Sequence, residues 1–120
     1  MLNTILEYRK GILFVRLDGQ LVSSNIKFIS SSLIPIIERD KLENIVINME
    51  NIDLVDLKGI HFIFYLYEMC KKNKGVLMLS NINENIKNRL KRNKVFKYVK
   101  EINNELEAFR IKETIWQMMK

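Results

Sequence analysis

Between Ile45 and Leu79 the chain reads strand, loop, helix, strand, and this run narrows it to folds with a mainly parallel sheet flanked by helices. Ile45-Val46-Ile47-Asn48-Met49 has the near-continuous apolar character of a central strand covered on both faces. Glu50 to Val55 reads as a loop. Asp56-Leu57-Lys58-Gly59 then opens a strongly apolar helical run, Ile60 to Cys70, which the basic turn Lys71-Lys72-Asn73-Lys74-Gly75 closes. Asp56 suits the N-cap, where a carboxylate accepts from free helix N–H groups at the positive end of the helix dipole. Val76-Leu77-Met78-Leu79 is a second buried strand. Two strands joined through a helix are expected to run parallel, with a right-handed crossover.

The flanking sequence continues the alternation. Thr4 to Tyr8 alternates weakly, Ile12 to Leu17 forms a second strand, and the Arg9-Lys10-Gly11 link suits a hairpin. Leu13, Val15 and Leu17 are expected to face the core, opposite Ile12, Phe14 and Arg16. Ser23-Ser24-Asn25 offers N-cap chemistry to a helix in which Ile26, Ile29, Leu33 and Ile36-Ile37 recur at helical spacing. Pro35 is expected to kink that helix or mark its last turns. Ile86 and Leu90 mark the inner face of a short basic helix, and Lys94 to Val99 reads as an apolar plug with a short edge strand. A last helix starts near Asn103-Asn104, with Leu106, Phe109, Ile111 and Ile115 on one side and Trp116 and Met119 near its end. The order β-β-α-β-α-β-α-β-α describes one α/β domain over residues 1–120, with a mixed, mostly parallel sheet, an N-terminal β-hairpin and about four helices.

Composition removes most catalytic chemistry. His61 is the only histidine and Cys70 the only cysteine, which excludes multi-histidine sites, triads, an internal disulfide and a thiolate metal centre. No phosphate-cradling glycine motif occurs. The chain therefore reads as non-enzymatic, with no cofactor. No apolar stretch reaches the roughly 18 residues of a membrane span, and Met1-Leu2-Asn3-Thr4 lacks the charged start of a secretory leader, so a cytoplasmic protein is expected. The formal charge is +6, and basic residues concentrate late: Lys71, Lys72, Lys74, Lys87, Arg89, Lys91, Arg92, Lys94, Lys97 and Lys100. These read either as a patch for an anionic partner or as a solvated face in a lysine-rich chain, and the general wealth of Ile, Asn and Lys favours the second. Nucleic acid ranks last among partners, because the basic cluster lacks an aromatic stacking platform in the sequence.

The element order and the segment Asp56-Leu57-Lys58-Gly59 resemble the STAS family, the sulfate-transporter and anti-sigma-factor-antagonist domains. Leu17-Asp18-Gly19-Gln20-Leu21 and the Leu90…Val95-Phe96 region fit the same pattern, so the resemblance covers nearly the whole chain. In that family the helix-start segment reads roughly Asp-Ser-Ser/Thr-Gly. Its second hydroxyl is phosphorylated by a partner kinase, which switches binding partners. Here Lys58 stands at that position and Leu57 before it, and neither can accept a phosphate from a Ser/Thr kinase. Val22 and Asn48 also depart from the pattern, where an acidic residue and an aspartate are common. Lys58 is expected to pair with Asp56 or Asp53, a contact worth roughly 0–1 kcal/mol when exposed. Gly59 is expected to let the first helical turn approach the sheet closely.

Ile60, Ile63, Phe64, Tyr67 and Cys70 share one helix face and are expected to meet the sheet. His61, Phe62, Tyr65, Glu68 and Met69 fall on the opposite side, where a surface helix is normally polar. Large aromatics and Met there point to a contact surface, unless another part of the chain, such as the last helix, covers it. The candidate partner-binding residues are Asp56, Leu57, Lys58, His61, Phe62, Tyr65 and Met69. By resemblance, the function is a protein-interaction module like an anti-sigma factor antagonist. Its partner would be an anti-sigma-type kinase, another STAS protein or a second copy in a homodimer. The alternative is a soluble STAS subunit of an ABC-type lipid transport complex.

Overall fold

Lys10 and Gly11 both take positive φ, 49° and 83°. This two-residue turn sets the first strand antiparallel to the second, because its twist matches that of the strands. The structure, a computed structural model, describes residues 2–119. Five strands lie side by side in the order β1 (Leu2–Arg9), β2 (Ile12–Leu21), β3 (Asn44–Val55), β4 (Leu77–Ser80) and β5 (Lys100–Ile102). All neighbours beyond the hairpin are parallel. The connecting helices are α1 (Ser23–Asp40), α2 (Leu57–Lys72) and α3 (Glu84–Arg92), then a 3-10 turn over Val95–Lys97, with α4 (Leu106–Met119) at the end.

The helices divide between the two faces of the sheet. Ile29, Leu33 and Ile37 of α1, Ile60, Ile63, Leu66 and Cys70 of α2, and Ile86 and Leu90 of α3 pack on Leu13, Val15, Ile45, Ile47, Leu77 and Leu79. On the other face, Ala108, Phe109 and Ile111 of α4 cover Ile12, Phe14, Val46, Met78 and Ile102. The alternation in β2 is thus real, and both of its faces are buried. Successive residues of β3 point to opposite faces, which is why Ile45-Val46-Ile47 is apolar throughout.

Three details differ from the sequence expectation. Glu50 to Val55 is strand rather than loop: β3 continues and pairs with Asp18 to Leu21, while Ile52 and Val55 are buried. Register shifts between Arg16 and Asp18 and between Gly19 and Gln20 rotate the strand, so its apolar residues lose the two-residue period. The edge strand begins at Lys100, because Val95 to Lys97 form the 3-10 turn that drops Val95 into the core. Pro35 lies in the last two turns of α1, which ends at Asp40, as its position in the sequence suggested. Leu106 is 75% exposed at the start of α4 rather than on its inner face. The Trp116 and Met119 side chains lie outside the described residues.

Asn48 points to the α4 face, away from the start of α2. Its Nδ2 donates to Glu105 Oε2 at 2.9 Å, and Arg16 reaches the same carboxylate through Nε and Nη2 at 2.9 and 2.8 Å. A third Arg16 nitrogen lies 2.8 Å from Glu7 Oε1. The Arg16 donors hold Glu105 below the usual carboxylate range against the partial burial that opposes it, and the Asn48 amide adds to the effect. This network ties β1, β2 and β3 to the entry of α4.

Two glycines mark backbone contacts that admit no side chain. A Cβ on Gly59 would lie 2.1 Å from the Leu21 carbonyl oxygen, and one on Gly75 would lie 1.8 Å from that of Glu43. Each substitution to Ala forces backbone apart from backbone. Gly59→Ala and Gly75→Ala are therefore expected to destabilise the domain by about 1–3 kcal/mol each, read from urea unfolding midpoints. Gly59→Ala with unchanged stability would show that α2 can lift from the β2–α1 corner freely.

Candidate functional site

The carboxyl ends of β2 and β3 deliver the chain into α1 and α2 side by side, and Asp56 holds the two corners together. Its Oδ1 accepts from the Gly59 N–H at 2.9 Å, capping α2, and its Oδ2 accepts from the Ser23 N–H at 2.9 Å, where α1 begins. One carboxylate thus serves the positive ends of two helices. Ser23, Ser24 and Asn25 do not cap α1 as their chemistry suggested: the N-cap is Val22, without a side-chain bond. Asn25 instead donates through Nδ2 to the Gln20 carbonyl at 2.8 Å. Partial burial pushes the Asp56 carboxyl up, but N–H bonds from Ser23, Gly59 and Lys58 and the positive charge of Arg89 outweigh it. The net pKa lies below the ordinary carboxylate value.

Leu57 and Lys58 follow on the open side. Leu57 is 54% exposed, and Lys58 is exposed and forms no ion pair among the described residues, with Asp56 or with Asp53. Asp56 is committed to backbone N–H groups instead. His61 is exposed one turn further on, and Tyr65 is 52% exposed after that. With Ser23, Ile26, Lys27 and Ser30 of α1, residues Lys58, His61, Phe62 and Tyr65 border a groove of about 480 Å³ between the two helices. Its charged side chains are Lys27 and Lys58, both cationic.

Phe62 lines that groove only from beneath: it is 5% exposed and belongs to the core, not to the exposed surface expected of it. Met69 is half-buried against the same core. Phe62, Leu66 and Met69 recur at helical spacing as a second inward stripe, of which Phe62 and Met69 border residues of α1. The chain itself covers two sides of α2, and α1 does the covering, not the last helix. Leu66, buried at 0%, is a core residue that the reading of α2 missed, although its place four residues after Phe62 marks it. Phe64 and Tyr67 pack partly on the core and partly under Tyr98, with ring centroids 6.0 and 5.8 Å from the Tyr98 ring. Cys70 is fully buried, and burial pushes its thiol up to about 12, so it behaves as a small hydrophobe.

No helix among the described residues is long and apolar enough to cross a membrane. A family model described as the STAS domain matches residues 3–109. The anti-sigma F factor antagonist of Paenibacillus polymyxa is 25% identical over 103 residues, covering 86% of this chain and 88% of that protein. The solved structure of an anti-sigma factor antagonist from Mycobacterium paratuberculosis superposes with a TM-score of 0.82 at 14% identity, over 92% of this chain and 93% of that one. A Thermotoga maritima protein assigned as an anti-sigma factor antagonist gives 0.84 at 13% identity, over 89% and 92%.

The double cap makes a pH-dependent prediction. Because Asp56 has a depressed pKa in the folded state, its contribution is full above the ordinary Asp value of 3.8 and is lost as pH falls through the lower folded value. Asp56→Asn replaces one acceptor oxygen by an N–H₂ group that faces a donor. It should cost about 1–2 kcal/mol at pH 7. The gap between wild type and variant, measured by denaturant unfolding, should narrow as pH falls below about 4. A gap that stays constant from pH 7 to pH 2.5 would rule out the charged cap.

Proposed function

This chain belongs to the STAS domain family, and we propose that it acts within it as a non-catalytic docking module of the anti-sigma-factor-antagonist type, without a phosphoacceptor at the start of α2. The observation that carries the reading is the exposed stripe Leu57, Lys58, His61 and Tyr65 beside the α1–α2 groove. An apolar residue, two side chains able to donate hydrogen bonds and a half-exposed aromatic lie together on a rigid helix, which suits an interface centre with a polar rim. Phe62 supports the surface from beneath, and Met69 does so from the edge. Asp56 contributes by orienting both helices rather than by touching the partner.

Lys58 gives this surface the sign opposite to that of a phosphorylated residue. In a hydroxyl-bearing relative, a phosphate at that position would bring nearly two negative charges to the helix start. Here a cation is permanent, so the complex would be set by partner concentration rather than by phosphorylation at this position. The proposed partner is an anti-sigma-type kinase or another STAS protein. An ABC-type ATPase captured instead would assign the chain to lipid transport.

Purified chain with a candidate anti-sigma-type kinase and ATP should gain no phosphate within residues 53–60 by intact mass and peptide mapping. A stoichiometric phosphate there would overturn the reading. In titration calorimetry Tyr65→Ala should weaken a partner identified by pull-down about 30-fold, the size of an interface hot spot, with the fold intact by circular dichroism. Phe62→Asp should unfold the domain. Undiminished affinity in both Tyr65→Ala and Lys58→Glu would move the docking surface elsewhere.

A further inference from the structure

At the amino ends of the parallel strands, opposite the α1–α2 groove, the structure gathers cations that the docking surface does not use. α2 runs back from the end of β3 to the start of β4, which brings Lys71, Lys72 and Lys74 to this end. α3 runs back in the same way before β5, which brings Lys91, Arg92, Lys94 and Lys97, and β5 itself begins at Lys100. All eight are exposed, and none forms an ion pair among the described residues. The neighbouring Glu101 is held by Lys87 at 2.8 Å, and the bordering acids are Glu38, Glu43 and Glu68, of which Glu38 and Glu68 lie on the side of Lys72 away from Tyr98.

Helix dipoles explain part of this. Lys71, Lys72, Lys91 and Arg92 stand in the last turns of α2 and α3, where a cation is favourable. They do not explain Lys74, Lys94, Lys97 and Lys100. Lys74 and Lys94 even adopt left-handed backbone, φ 64° and 60°, where glycine would be free of strain. Between the α2 and α3 cations stands Tyr98, 53% exposed and braced by Phe64 and Tyr67. Tyr98 lies between Lys97 and Lys100 in the sequence itself, so the basic cluster does carry a ring able to stack; the fold adds the α2 lysines at the same end and the two rings that brace it.

We infer that this end of the molecule binds single-stranded nucleic acid, with Lys74, Lys94, Lys97 and Lys100 on backbone phosphates and a base stacked on Tyr98. Lysines around an exposed, braced aromatic ring are the elements of sequence-tolerant single-strand binding. A membrane surface fits less well. Leu57 and Tyr65, the other large exposed hydrophobics on these elements among the described residues, belong to the stripe of α2 beside the groove, so Tyr98 alone offers no apolar wedge to enter lipid. The inference is independent of the docking role at the other end.

Fluorescence anisotropy with a labelled 20-nucleotide oligouridine and the full chain tests it. Binding at 50 mM NaCl should weaken at least tenfold by 200 mM. Lys94→Glu with Lys97→Glu should abolish it, and Tyr98→Ala should reduce it about fivefold or more. Arg110→Glu, a single reversal of the same kind on the outer side of α4, should leave it within twofold. These residues are exposed, so the lysine variants keep the test open should Tyr98→Ala disturb folding. No binding at 50 mM salt overturns the inference. So does binding indifferent to Tyr98→Ala in a folded variant, or binding lost equally in Arg110→Glu, which would reflect net charge alone. Tighter association with phosphatidylserine vesicles than with the oligonucleotide would also overturn it, in favour of a lipid surface.

Discussion

The Asp56 carboxylate stands where two helices and two strands meet, and the geometry of the whole upper end follows from it. α1 and α2 each leave N–H groups without intrahelical partners. Bringing two such positive ends close together is unfavourable unless an anion lies between them. Asp56 supplies that anion, one oxygen to each helix. The same corner is drawn tight by Gly59, which lets the first turn of α2 rest on the Leu21 carbonyl. A carboxylate and the absence of a side chain therefore set the spacing of the groove.

With that spacing fixed, α2 has little free surface. The sheet takes one stripe of it and α1 takes a second, so Phe62 and Leu66 are as much core as Ile60 and Ile63. Lys58, His61, Tyr65 and Glu68 remain outside, one per turn. Such a narrow stripe on a helix clamped from two sides is well suited to recognition: its side chains project from a backbone that cannot yield. The exposed surface of α2 is correspondingly smaller and more polar than a helix with a wholly apolar outer face would offer.

The two faces of the sheet are closed differently. The α1–α3 side is apolar throughout. The α4 side ends in the Arg16, Glu105 and Asn48 network, where charge-assisted hydrogen bonds take over from packing. Asn48 belongs to this network, so it bears on the seating of α4 and not on the helix start that carries Lys58. The carboxyl and amino ends of the strands likewise differ in character, one built around helix N-termini and a single half-buried anion, the other around helix C-termini and exposed lysines.

The element order, the hairpin, the Asp56 cap and the tight approach at Gly59 were legible in the amino-acid sequence, because each depends on local chemistry: apolar period, turn residues, capping type and the lack of a Cβ. The absence of hydroxyls at Leu57 and Lys58 is likewise a property of the sequence alone. What only the tertiary structure decided were the contacts between elements distant in sequence. Periodicity places Phe62 away from the sheet but cannot say that α1 lies there to cover it. Ser23 offers capping chemistry, yet its own N–H is satisfied by an aspartate 33 residues away. The extension of β3 depends on pairing with β2 through register shifts that blur alternation, and Tyr98 meets Tyr67 only because two crossovers return to the same end of the sheet. Local pattern specifies which face of an element is apolar. Which element it meets is a matter of packing among parts brought together by the whole chain.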